Sequence, residues 1–285
     1  MMLPTLIFIH QTSPFPVAYA AEHAAKIGYN VIVVGEESWD FKQCTNLSMC
    51  QFRNGIDRFK DIYKHQSPND AKYESFCFER WFILRNVMAT YRLNNVFYID
   101  SDALVFKGFE SIVESTDYHS YEIPFFNFFK DLNSLEIIVS SILDIYEDPD
   151  FKEKYCIATK EYSSFFSDMI LFPWVAKKYP NSFSRIAKNM EDMGFDRNIN
   201  KPGEYQSFGN TSSGIKRIEK RGDEVWGKTR NGQERQFFFL HFQGHSKPLM
   251  QFYLNGSIED YSKSWWPNPG TPDVIRAHSV LSNLV

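Results

Sequence analysis

Val96-Phe97-Tyr98-Ile99-Asp100-Ser101-Asp102-Ala103-Leu104-Val105-Phe106 decides the fold class of this chain. Its opening run of apolar and aromatic residues, with no polar alternation, reads as a strand covered on both faces in a parallel sheet. The run stops at two aspartates separated by one small residue. That position is the carboxyl edge of the sheet, where open α/β folds place their ligands. Two carboxylates so close repel unless a cation or a proton lies between them. Asp100 and Asp102 therefore point to a hard divalent cation and, with it, to phosphate chemistry. A solvated turn uses the same residue types, but Ala103-Leu104-Val105-Phe106 returns at once to apolar character and argues for burial.

Thr5–Ile9 reads as a first strand ending at the polar His10-Gln11-Thr12, and an Ala-rich helical pattern over 15–28 closes at Gly28. Val31–Val34 is a second strand, ending at Gly35-Glu36. Two strands joined by a connection of helix length favour parallel pairing. From Trp39 to Asn69 the chain is polar and irregular, compatible with a loop or short helices. Glu74–Tyr91 is predicted as a helix buried on most sides, since Phe76, Phe78, Trp81, Phe82, Leu84, Val87, Met88 and Tyr91 cover most of its circumference. Asn94-Asn95 then turns the chain into the aspartate-tipped strand. A further helix is expected over 130–147 and a strand-to-helix segment over Phe165–Tyr179.

Residues 213–243 mix charged and apolar character between turn signals at Arg221-Gly222-Asp223 and Asn231-Gly232. That pattern predicts antiparallel hairpins, and the Arg-Gly-Asp tripeptide reads as one of their turns. The last strand, Gln236–Phe242, runs into Gln243-Gly244-His245-Ser246-Lys247-Pro248. The expected fold class is α/β: a mixed, mostly parallel central sheet flanked by helices, with a small antiparallel region before C-terminal helices. We expect a catalytic domain over 1–250 and a C-terminal extension over 251–285, where Trp265-Trp266-Pro267 would serve as packing or as a sugar-stacking platform.

Thirty-one Lys and Arg against 35 Asp and Glu give a net charge of −4, so no basic bias points to nucleic acid or to an anionic membrane. Most of the 17% aromatic residues are expected in the core. Cys44, Cys50, Cys77 and Cys156 lack zinc-site spacing and read as free thiols in a reducing compartment. Leu3–Ile9 is too short an apolar run, without a basic flank, for a signal peptide. No segment approaches the ~20 apolar residues of a membrane span. The expected location is cytoplasmic, or at most peripheral to a membrane.

Three enzyme classes use a carboxylate pair of this kind: haloacid-dehalogenase-type phosphatases, nucleotidyltransferases with two-metal phosphoryl transfer, and nucleotide-sugar glycosyltransferases. The first usually carries its Asp-x-Asp near the N-terminus, with Thr or Val where this chain has Leu104. The loop His241-Phe242-Gln243-Gly244-His245-Ser246-Lys247-Pro248 helps to separate them. It brings a metal-ligand type, a glycine that lets backbone approach an anion, and a flexible point charge suited to phosphate into one short segment.

Asp-x-Asp after an apolar strand, followed far downstream by His-x-x-Gly-x-x-Lys-Pro, resembles the pattern of GT-A-fold glycosyltransferases, most like glycosyltransferase family 8, the glycogenin and bacterial lipopolysaccharide galactosyltransferase type. The resemblance covers residues 4 to about 250 and is carried by the two motifs. It implies a Rossmann-like GT-A fold and transfer of a sugar from a nucleoside diphosphate sugar, a UDP-sugar above all, to a hydroxyl of a glycan, lipid-linked or protein acceptor. It implies Asp100, Asp102 and His241 as ligands of Mn²⁺ or Mg²⁺, with Asp102 also facing the donor sugar or ribose. Gly244 and Lys247 would hold the diphosphate, Arg80 would contact nucleotide or phosphate, and His10, Gln11, Thr12 and Ser101 would line the nucleotide site. Where the family usually has Asn-Ala-Gly this chain reads Phe166-Ser167-Asp168-Met169, which makes Asp168 the candidate for sugar binding. In an inverting mechanism Asp168 would be the base. With retention, the leaving phosphate itself takes the acceptor proton. Leu249 stands where many relatives have Trp. A phosphatase or nucleotidyltransferase on the same aspartates, or a carbohydrate-binding protein of this fold without turnover, are the alternatives.

Overall fold

The computed structural model describes residues 4–108, 124–148, 150, 166–183, 194–207 and 214–255. They belong to two compact units, 1–101 with 107–190, and 102–106 with 191–285. Trp265, Trp266, Cys156 and most of the expected C-terminal extension lie outside the described residues.

The first unit is built on a five-stranded sheet. Strands β1 (Thr5–His10), β2 (Asn30–Gly35), β3 (Thr45–Ser48), β4 (Val96–Ile99) and β6 (Phe126–Phe129) lie in the order β3-β2-β1-β4-β6. The first four are mutually parallel and β6 pairs antiparallel with β4. Helix α1 (Val17–Lys26) makes the crossover from β1 to β2. It stops in a paired turn, with Gly28 N–H donating to Ala25 O and Tyr29 N–H to Ala24 O. Gly28 has φ +106°, a conformation that glycine takes without strain. The stretch from Trp39 to Asn69 contains a strand as well as short helices: β3, a 3₁₀ turn over Met49–Phe52, and α2 (Ile56–Ile62). β3 is the polar Thr-Asn-Leu-Ser, with exposed and half-buried residues at the sheet edge, so it carries no apolar run to read.

Helix α3 (Ala71–Tyr91) begins at Asp70, whose carboxylate accepts from the N–H groups of Lys72 (3.0 Å) and Tyr73 (3.1 Å). Its Phe78, Trp81, Phe82, Leu84, Val87 and Met88 are buried, as the sequence pattern predicts, whereas Tyr91, expected with them, is exposed because the helix ends there. They pack with Ile7, Val96 and Tyr98 of the sheet, and with Leu135 and Ile138 of α4 (Leu132–Glu147) and Phe172 of α5 (Asp168–Lys178), in one core. Arg53 (2.9 Å) and Lys60 (3.5 Å) pair with Glu79, which accounts for that acidic residue structurally. From β1 the chain winds outward to β2 and β3 on one side, whereas β4 lies on the other. The carboxyl ends of β1 and β4 are the topological switch point where such sheets bind ligands.

The second unit holds β5 (Ala103–Val105), paired antiparallel with β10 (Phe239–His241), and a meander of β7 (Ile218–Arg221), β8 (Glu224–Lys228) and β9 (Glu234–Phe237). Gly222 (φ +65°) and Gly232 (φ +90°) sit in the two turns, where the sequence predicts them. The expected single strand Gln236–Phe242 is instead two, in different sheets, broken at Phe238. The cause is the segment from Gly194: Phe238 N–H donates to Gly194 O (2.8 Å), and Asp196 N–H donates to Phe239 O (2.9 Å). The architecture matches the α/β class, with its mostly parallel sheet and small antiparallel region. Gly194 has φ +78°, and a Cβ there would lie 2.4 Å from Gln236 O. Gly194→Ala is therefore expected to destabilise the protein by at least about 1 kcal/mol, read as a lower urea midpoint at unchanged slope.

Candidate active site

Asp100 follows β4, and its Oδ1 accepts from Arg80 Nη1 (2.8 Å) and from the Tyr98 hydroxyl (2.7 Å). Oδ2 makes no hydrogen bond among the described residues, so one oxygen is anchored and the other is open to a ligand. Tyr98 and Asp100 are two apart on an extended segment and so share a face. Arg80 is buried on α3 and donates also to Tyr98 Oη (2.9 Å), Cys77 O (3.1 Å) and Asp168 Oδ2 (2.5 Å). Its guanidinium lies 5.1 Å from the Trp81 ring centre and 5.3 Å from that of Tyr98. Asp168 opens α5 and is buried. Burial pushes its carboxyl up to about 6, with the negative charges of Asp100 and Glu74 adding to the rise and Arg80 opposing it.

At the neighbouring strand end, His10 Nδ1 and Ser101 Oγ are 2.9 Å apart, which ties β1 to the turn after β4 across the switch point. Thr12 N–H donates to Glu36 Oε2 (3.3 Å) beyond β2. Half-buried Trp39 lies 6.1 Å from the His10 ring and rests on Gly35, where a Cβ would meet the indole at 2.7 Å.

In the second unit, Ala103 faces His241 in the β5–β10 register, and Phe242 N–H donates to Asp102 O (2.8 Å). Asp102 and His241 are thereby set side by side: His241 Nε2 is 3.3 Å from Asp102 Oδ1, and Lys247 Nζ is 3.2 Å from Asp102 Oδ2. His241 Nδ1 is 2.8 Å from Arg197 O. A carbonyl only accepts, so Nδ1 carries the proton, and in the neutral ring Nε2 turns a lone pair toward the Asp102 carboxylate. Two acceptors at that distance require a proton or a cation between them. With a proton on Nε2, burial pushes the Asp102 carboxyl up, but the hydrogen bond and charge of the imidazolium and the hydrogen bond and charge of Lys247 outweigh it and hold it down at about 2. Gly244 has φ +58° with open space around a would-be Cβ, so the glycine answers the backbone and leaves its surroundings clear.

Within the second unit Asp102 and His241 offer a carboxylate oxygen and an imidazole nitrogen to a divalent metal ion, and Asp100 stands two residues before Asp102 in the chain. The donor chemistry fits. Carboxylate oxygens suit Mg²⁺ and Mn²⁺, an imidazole is compatible with a first-row metal, and ligating histidines typically donate their other N–H to a carbonyl or carboxylate. The sequence pattern did not reveal Tyr98, Trp39, Glu36, or the buried pair Asp196 and Lys216 behind His241. Tyr98 had a signal in the two-residue period of the strand. Asp196 and Lys216 had none, being single charged residues in irregular chain.

No protein-family model and no curated protein matches this chain. Among solved structures it is similar to the glycosyltransferase GlyE of Streptococcus pneumoniae, with 8% identity and a TM-score of 0.33 over 67% of this chain and 47% of that one. The apo form of GlyE gives 11% identity and a TM-score of 0.33 over 66% and 46%. It is also similar to a glycosyltransferase involved in glycosylation of the major capsid of PBCV-1, with 11% identity and a TM-score of 0.37 over 87% of this chain and 98% of that one. The chain spans about half the length of the GlyE structures.

Proposed function

We propose that the protein is a metal-dependent glycosyltransferase. It moves a sugar from a nucleoside diphosphate donor, a UDP-sugar, to a hydroxyl of a glycan, lipid-linked or protein acceptor, with retention of anomeric configuration. The observation that carries the proposal is the facing of His241 Nε2 and Asp102 Oδ1 at 3.3 Å, with Lys247 on the other carboxylate oxygen. Asp100, Asp102 and His241 would hold Mn²⁺ or Mg²⁺, whose chemistry when bound is to neutralise charge growing on a leaving diphosphate. Lys247 would bind the diphosphate and add fixed positive charge where negative charge develops. The backbone at Gly244 would approach the same phosphates. His10, Gln11, Thr12 and Ser101, at the switch point, would line the nucleoside, with Trp39 beside them. Arg80 would fix Asp100, directly by one hydrogen bond and through Tyr98, rather than meet phosphate freely. Asp168, held through Arg80, would face the donor sugar.

No described helix is long and apolar enough to cross a membrane. Cys44, Cys50 and Cys77 are free thiols, in keeping with a cytoplasmic site of action.

Slow Mn²⁺-dependent hydrolysis of one nucleotide sugar, and transfer once an acceptor is supplied, are the expected activities. A thermal-shift screen of nucleoside diphosphates and their sugars, with and without Mn²⁺, selects the donor, because a ligand of the folded state raises its apparent stability. Release of inorganic phosphate from a generic phosphoester, with no nucleotide-sugar turnover, would overturn the proposal in favour of a phosphatase. Lys247→Ala should weaken UDP binding about 10–100-fold, the scale of a charge-assisted hydrogen bond, and leave uridine binding unchanged. Calorimetry with both ligands reads the contrast, and an equal loss for uridine would refute the phosphate role.

A further inference from the structure

We propose that the buried Asp196–Lys216 ion pair is a positioning device that sets the imidazole of His241 for its cation, an inference that rests on the metal site proposed above. Asp196 and Lys216 are 0% and 1% exposed, and Lys216 Nζ donates to Asp196 Oδ1. Burying two charges is costly enough that well-packed apolar residues often serve stability as well or better. Stability alone therefore does not call for the pair.

Several of its other bonds lead to His241 and the chain that holds it. Asp196 Oδ2 accepts from His241 N–H (3.4 Å), and Asp196 N–H donates to Phe239 O (2.9 Å) two residues earlier on β10. Lys216 Nζ donates to Asn198 O (3.3 Å), Lys216 N–H to Ile199 O (2.9 Å), and Ile199 N–H to His241 O (2.9 Å). Between Asp196 and Asn198 lies Arg197, whose carbonyl accepts from His241 Nδ1 (2.8 Å) and so fixes both the tautomer and the plane of the ring. The pair thus grips the residues on either side of a carbonyl that orients the proposed ligand. Lys216 is itself held, its ammonium 5.7 Å from the Tyr205 ring centre and its carbonyl accepting from Tyr253 Oη (3.2 Å). An apolar pair could fill the space, but it could not hold the Asn198 carbonyl and the His241 amide at once.

The test is Mn²⁺ affinity, followed by the electron paramagnetic resonance of free Mn²⁺, alongside thermal melting of the full chain. The double variant Asp196→Asn/Lys216→Met leaves no unpaired charge. It is expected to melt cooperatively and to bind Mn²⁺ about 10–100-fold more weakly than wild type, as outer partners of metal ligands typically do. His241→Ala serves as the reference for loss of the ligand itself. A folded double variant with wild-type Mn²⁺ affinity, beside a weakened His241→Ala, overturns the positioning role and leaves the metal site standing. Wild type that binds no Mn²⁺, or His241→Ala that binds it unchanged, overturns the metal site and the positioning role together. If the double variant does not fold, Asp196→Glu carries the test, since it keeps the charge and lengthens the arm. A several-fold loss of Mn²⁺ affinity at an unchanged melting temperature is then expected, and wild-type affinity overturns the inference.

Discussion

Asp102→Asn is expected to lower Mn²⁺-dependent nucleotide-sugar turnover by at least about a hundredfold, while the protein stays folded. The substitution keeps the side chain's shape and removes its charge. In the wild type, Oδ1 faces His241 Nε2 at 3.3 Å and Oδ2 faces Lys247 Nζ at 3.2 Å. An asparagine can turn its amide N–H toward the His241 lone pair and its carbonyl toward Lys247, so both partners remain satisfied. The N–H then occupies the place between imidazole and carboxylate that the cation would need. A stable protein with an inactive site is the outcome that separates a metal role from a structural one. Turnover with Mn²⁺ and with EDTA is the measurement. Full activity in the variant, with EDTA equally harmless in the wild type, would remove the metal from the mechanism.

How much of this was legible in the sequence depends on whether the signal was local. The strand Val96–Ile99 is fully buried and ends at Asp100, as its uninterrupted apolar run predicts. The helix about Trp81 and the hairpin turns at Gly222 and Gly232 follow from periodicity and turn chemistry in the same way. β3 escaped because an edge strand half exposed to solvent needs no apolar run. The break at Phe238 escaped because it is imposed by Gly194, 44 residues earlier in the chain. The site divides along the same line. Asp100, Asp102, His241 and Lys247 stand in short motifs whose spacing carries meaning. The partners that hold them do not: Arg80 reaches Asp168 across 88 positions, and Arg197 orients His241 across 44. Arg80 is the instructive case. A cation on a helix leading into the aspartates invites a phosphate role, yet its guanidinium already serves two carboxylates, a phenol and a carbonyl.

That arrangement makes Arg80→Met the substitution expected to cost most in stability. The side chain is about the right size for its slot against Trp81 and Tyr98, so packing is largely kept, and what disappears is the positive charge between Asp100 and Asp168. Leaving a buried carboxylate unpaired typically costs about 3–5 kcal/mol. The pH dependence identifies which carboxylate is responsible. Burial has already raised Asp168 to about 6, above the 3.8 of an unperturbed aspartate, and Arg80 opposes that rise. A carboxyl whose folded pKa is raised contributes stability that is complete below the unfolded value and is lost as pH rises through the folded one. Without Arg80 the rise is larger and the loss extends to higher pH. The deficit of Arg80→Met relative to wild type should therefore be small near pH 4 and largest above pH 7. Adding Asp168→Asn should recover much of the stability and flatten that profile, because the two residues act as one unit and their effects do not add. Urea denaturation of the four proteins of this cycle at pH 4.5 and 7.5 gives the coupling directly. Additive losses, or a deficit independent of pH, would mean that Arg80 stabilises the protein through packing alone and that Asp168 does not depend on it.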